Sequence, residues 1–136
     1  MKKIAVFFIC SSLLILFSCK KEANDFVLQL NGKWNWKSSL ASNGTQMFPR
    51  DNSAIDSNFL IFTSTKFINH AVCVIGGPSE GNFETNFSSG KQYLIFKQEY
   101  YRPDTFLLNI TSTQLDLTEV HDRYSWTHTF TKKNNE

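Results

Sequence analysis

Three cysteines, three histidines, one serine set between glycines and a scatter of carboxylates are the side chains here that could do chemistry. Cys19 stands apart from the others. It ends the tetrad Leu16-Phe17-Ser18-Cys19, after an apolar run from Ile4 to Phe17 that follows the basic tip Met1-Lys2-Lys3. A thiol, unlike a serine hydroxyl, is partly ionised near neutral pH, so it suits covalent attachment. Cys73 lies inside Ala71-Val72-Cys73-Val74-Ile75, where burial raises a thiol pKa, and it reads as a small core hydrophobe. Cys10 and Cys19 both lie in the first nineteen residues, which leaves Cys73 without a disulfide partner in the rest of the chain.

The remaining candidates read more plainly. Gly77-Pro78-Ser79-Glu80-Gly81 matches Gly-x-Ser-x-Gly, a pattern that works where a strand turns sharply into a helix. The following Asn82-Phe83-Glu84-Thr85-Asn86-Phe87 has no helical period, so the stretch is expected to be a turn between strands. His70, His121 and His128 come singly, without the spacing that gathers ligands around a metal. His70 and Cys73 are three apart and face opposite ways on a strand. His128 shares its face with Trp126 and Phe130, which suggests a hydrogen-bonded histidine inside the fold or at its rim. No carboxylate pair forms an acid/base couple. The expectation is a non-enzyme, with no catalytic residue, no metal and no cofactor.

The run from Ile4 to Phe17 holds fourteen residues, whereas a helix needs roughly 20 to cross about 30 Å of hydrocarbon. A short apolar run behind a positive tip, closed by a small residue, reads as an export signal that is later removed. Its last four residues resemble the lipobox of bacterial lipoproteins, with Phe17 a less usual second residue. That resemblance implies a diacylglyceryl group on Cys19, cleavage in front of it, and acylation of the freed amine by a chain such as palmitate. Residues 1–18 are then a signal peptide and 19–31 a lipidated N-terminus and tether. The plainer alternative is a soluble secretory signal with an incidental cysteine. Lys20 replaces the Asp that marks inner-membrane retention in that family, and Lys20-Lys21-Glu22 resembles the surface-export tags of some of its members. The implied location is the outer membrane, lipid-anchored, on its periplasmic face or at the cell surface.

Charge narrows the partners. The chain has 14 Lys and Arg against 12 Asp and Glu, and loss of Lys2 and Lys3 with the signal makes the two equal. A neutral domain does not suit nucleic acid or another polyanion. The partners expected are the membrane, through the lipid, and either a small hydrophobic ligand or an outer-membrane protein.

These residues must be positioned by strands. Residues 26–30 (Phe-Val-Leu-Gln-Leu) suit one helical turn capped by Asn24 or Asp25, with Phe26, Val27 and Leu30 on one face. From Gly32 the period becomes two. Strands are expected over 33–39, 58–63, 66–75, 82–87, 91–98, 105–110, 114–120 and 124–132. The prolines, and Gly44, Gly76, Gly77, Gly81 and Gly90, are expected between them, with turns at 102–104 and 120–123. The connection over 40–57 is long enough to be functional. The class is all-β: a small antiparallel up-and-down barrel of about eight strands, or alternatively a β-sandwich.

Leu30-Asn31-Gly32-Lys33-Trp34 and the alternating aromatic strand ending in Lys132-Lys133 are similar to the opening and close of lipocalin-like domains on bacterial lipoproteins. The resemblance covers roughly 30–133, places the domain at 32–133, and rests on Gly32, Trp34 and the last strand. It implies that Lys132 or Lys133, where an arginine is usual, packs over Trp34 and closes the barrel floor. Trp36, Phe59, Phe106, Trp126 and Phe130 are the expected inward groups, lining a ligand site or filling the interior. The 40–57 connection is expected to cover the mouth, and Tyr100-Tyr101 to form a contact surface. Two functions follow as expectations: a membrane-anchored, non-catalytic binding module for a small apolar ligand, or an accessory or inhibitor protein with a filled barrel acting through protein contacts.

Overall fold

A computed structural model describes residues 26–49, 57–71, 77–99, 102–120 and 125–133. Its strands are β1 (Gly32–Ala41), β2 (Gln46–Met47), β3 (Phe59–Phe62), β4 (Lys66–Asn69), β5 (Ser79–Ser88), β6 (Lys91–Lys97), β7 (Asp104–Ile110), β8 (Gln114–Glu119) and β9 (Trp126–Lys132). From β3 to β9 each strand pairs antiparallel with the next. β1 then closes the ring, pairing with β3 along one edge (Trp34 opposite Leu60) and with β9 along the other (Trp36 opposite Phe130). The result is a closed eight-stranded up-and-down barrel, which removes the free edges that an open sheet would expose. β2 is an extra short strand, paired with the far end of β1 through Ser39–Met47 and Leu40–Gln46.

The barrel has two ends. The floor is where β1 begins and β9 finishes, and it carries the turns at 63–65, 89–90 and 111–113. The rim carries the 42–45 hairpin, the longer connections and the start of β9. Residues 26–30 are one helical turn at the floor, with Leu30 fully buried and Val27 packed on the core. Residues 26–30 therefore pack as part of the folded unit, ahead of the domain start expected at Gly32. Asn24 and Asp25 lie outside the described residues.

Alternation within the strands builds the core. Trp34, Trp36, Leu60, Phe62, Phe67, Leu94, Phe96, Leu115, Leu117 and Phe130 are buried, while their neighbours along each strand are less so. Fully burying one such side chain is worth roughly 1.5–3 kcal/mol.

Three details depart from the sequence reading. First, β1 slips between Trp36 and Ser38, where Lys37 is an extra residue against β9. That bulge reverses the phase, turning Ser39 and Ala41 inward and leaving Leu40 exposed. Second, Gly81 is not a breaker between strands but lies inside β5. A Cβ there would stand 2.2 Å from the carbonyl oxygen of Lys97, so the close approach of β6 admits only glycine. Third, the strand expected over 66–75 is β4, ending at Asn69, and residues 72–76, with Cys73, lie outside the described part. Asn69 turns inward and holds both ends of that connection, donating to Gly77 O at 2.8 Å and accepting from Ala71 N at 2.9 Å.

Candidate functional site

The five aromatic residues expected inside do not form one group. Trp36, Phe106 and Phe130 are buried in the core. Trp126, at the rim end of β9 opposite Ala41, is half-buried. Phe59 points outward, which corrects the expectation: β3 buries Leu60 and Phe62 and turns Phe59 and Ile61 to the outer face. An unbroken apolar run such as Phe59-Leu60-Ile61-Phe62 carries no phase of its own, so its face is set by pairing Leu60 with Trp34 across the sheet. On the outer face the Phe59 ring stacks on His70 at 4.6 Å, and Lys33 Nζ stands 3.8 Å from its centroid.

The interior is built of rings that touch one another. Phe62 meets Phe83 at 5.2 Å and Phe96 at 6.0 Å, and Phe96 meets Phe67 at 4.6 Å and Phe106 at 5.6 Å. Phe106 in turn faces the His128 imidazole at 6.4 Å. These separations are those of edge-on and offset pairs in contact. An eight-stranded barrel is just wide enough to be filled by its own side chains or to hold one small ligand. Here the described rings occupy the middle.

At the floor, the Trp34 indole donates to Leu30 O at 2.7 Å, and Lys132 Nζ stands 5.0 Å from its ring. The same ammonium donates to Gln29 O at 3.1 Å. One lysine thus fastens the helical turn to the last strand while capping the buried indole. Gly32, with φ 120°, makes the entry into β1 in a region that favours glycine.

Toward the rim lies a polar chain that nothing in the local sequence announces. Trp36 Nε1 donates to Ser39 Oγ at 3.0 Å, Ser39 Oγ lies 2.7 Å from His128 Nδ1, and His128 Nε2 lies 3.3 Å from Glu119 Oε1. For a neutral imidazole each donor serves the next acceptor: indole to hydroxyl, hydroxyl to Nδ1, Nε2–H to carboxylate. Burial pushes the His128 pKa below its ordinary 6.5, and the Glu119 carboxylate offsets part of that shift. Serine, imidazole and carboxylate in a row can activate a nucleophile. Here Ser39 and His128 are each only 1% exposed and the indole already occupies the hydroxyl, so an incoming carbonyl has no approach. What the chain does is satisfy buried polar groups that would otherwise weaken the core. An inward histidine between Trp126 and Phe130 signals that a polar partner exists, but the bulge that delivers Ser39 has no local mark.

Gly77 to Gly81 runs into strand β5 and not into a helix, so the geometry of a nucleophile elbow is missing, and Ser79 Oγ is buried without a partner among the described residues. Outside the barrel, β3 to β6 carry a shallow groove of about 560 Å³ with Ile61 and Ile68 in its lining. Its charges balance, Lys66 and Lys97 against Glu80 and Glu99. Among the described residues no three metal-ligating side chains gather. The described part of the 40–57 connection opens as a hairpin, with Leu40 and Ala41 in β1 and Gln46–Met47 as β2, and Thr45 N bonds Asn43 Oδ1. Cys19, His121 and Tyr100-Tyr101 lie outside the described residues. No family model, no curated protein and no solved structure matches the chain.

Proposed function

We propose that this is a lipocalin-like barrel held at the outer membrane by a lipid on Cys19, and that it works by binding a protein partner, not by catalysis. An eight-stranded barrel is compatible with a binding module. The contact between Phe62, Phe83, Phe96, Phe67 and Phe106 favours a partner over an enclosed ligand, because rings at van der Waals separation stand where an apolar ligand would. The rim presents exposed apolar side chains, Leu40, Phe48 and Val120, at the end away from the tether. Apolar groups clustered on one end suit protein contact.

Capture from detergent-solubilised outer membrane tests this. One stoichiometric partner is expected, with its recovery reduced by Phe48→Ser. Saturable one-to-one quenching of tryptophan fluorescence by a fatty acid or retinoid-like probe, without a partner, would return the small apolar ligand to first place. The anchor is tested separately, by the intact mass of the N-terminal peptide and by membrane partition of Cys19→Ala.

A further inference from the structure

We propose that the floor of the barrel is a docking face for an anionic bilayer, so that the domain stands on the membrane with its rim outward. The proposal rests on the lipid anchor for which surface is met, but the charge pattern is independent of it. Lys33 is the second residue of β1, Lys66 the first of β4, Lys91 the first of β6, and Lys132 and Lys133 close β9. Antiparallel pairing brings all five to the floor end, as the pairing of Lys132 with Trp34 and of Gly32 with Phe62 requires. The turns between them read Thr63-Ser64-Thr65, Ser88-Ser89-Gly90 and Thr111-Ser112-Thr113, with hydroxyls and no carboxylate. Among the described residues the acidic side chains near these lysines are already engaged or balanced. Glu84, two residues past Asn82 on β5, is paired with Lys97, Asp116 accepts from Gln114 and Asn109, and Glu80 and Glu99 share the outer groove with Lys66 and Lys97. Among the described residues lysines outnumber carboxylates at this end, and an excess of lysine is what an anionic headgroup layer attracts.

Two apolar side chains accompany that charge. Phe87 is 68% exposed beside the β5–β6 turn, and Leu28 is 66% exposed on the helical turn under the floor. β5 runs on past its last partner in β4, Lys66 opposite Asn82, so the β5–β6 hairpin projects at this end with Phe87 near its tip. Aromatic and aliphatic side chains set among lysines suit the boundary between headgroups and acyl chains. Six residues separate Cys19 from Phe26, so the floor stays within about 25 Å of the anchored sulfur even with the tether fully extended.

The test uses the mature protein in vesicles of phosphatidylcholine, with and without phosphatidylglycerol, after intact mass has reported the state of Cys19. With lipid present, amine labelling of Lys66 and Lys91 is expected to slow severalfold on the phosphatidylglycerol vesicles, and to recover in high salt, while Lys37 stays unchanged. Equal labelling rates on both vesicle types would overturn the proposal although the anchor stands. If Cys19 carries no lipid, co-sedimentation with the same vesicles decides. Lys66→Gln and Lys91→Gln should each cost about fivefold in binding, whereas Arg102→Gln at the rim should cost nothing. Absence of any preference for phosphatidylglycerol overturns it in this arm too.

Discussion

The floor and the rim of this barrel are closed by different physics. At the floor a helical turn buries Leu30 under the strands, the Trp34 indole bonds its carbonyl, and Lys132 covers the ring from outside. Toward the rim the interior is completed by Trp36, Ser39, His128 and Glu119, a chain whose direction depends on a neutral imidazole. The comparison teaches that one small core can combine a closure made of an indole and a backbone carbonyl with one that turns on a buried histidine. The floor also carries lysines and hydroxyl turns, whereas the described rim holds Glu99, Asp104 and Glu119 with Arg102, beside exposed Phe48 and Val120.

The contrast can be broken first at the floor. Trp34→Ala removes a fully buried ring and its bond to Leu30, and should cost about 3–5 kcal/mol in denaturant unfolding, equally at neutral and acidic pH. Ser39→Ala is the corresponding cut toward the rim. It leaves the Trp36 indole and His128 Nδ1 without their shared partner, so a loss of about 1–3 kcal/mol is expected. Pairing it with Trp36→Phe in a double-mutant cycle should show strong non-additivity, because the ring at that position then has no N–H to leave stranded. Lys132→Met comes next. It deletes the ammonium over Trp34 and its bond to Gln29 while keeping the stem, and should lower stability by about 0.5–2 kcal/mol; an unchanged midpoint would show that the apolar contact alone closes the floor.

The smallest effect sharpens the contrast most. The folded His128 pKa lies below the unfolded 6.5, so the unfolded chain binds more protons as the pH falls past that value. Stability should therefore be complete above pH 6.5 and decline below it until the folded histidine itself titrates. Thermal midpoints measured across that window should show the decline in the native protein and in Trp34→Ala, and lose it in His128→Gln. A decline that persists in His128→Gln would assign the response to another group.

How much of this was readable depends on whether a feature is local. The period of two from Gly32 onward marks the strands, because each has at least one stretch where apolar and polar residues alternate or a breaker adjoins it. The helical turn at 26–30 shows its Phe26, Val27, Leu30 face in five residues. The site was less legible. Trp36 and Phe130 lie on alternating strands and fall inside, but Phe59 lies in an apolar run whose face is decided by a partner strand. Gly81 looked like punctuation because a glycine required by a neighbouring backbone is identical, in sequence, to one required by a turn.

The amino-acid sequence by itself determined the strand period, the helical entry into the barrel and the short apolar run from Ile4 to Phe17 ahead of Cys19, since each is written in neighbouring residues. Only the tertiary structure decided that β1 meets β9, that the bulge at Lys37 turns Ser39 inward, and that His128 finds its partners 89 and 9 residues away. A strand has two possible faces and many possible registers, and nothing within it chooses among them. Closing the ring does, because a slip of one residue in any pair would turn a buried row to water.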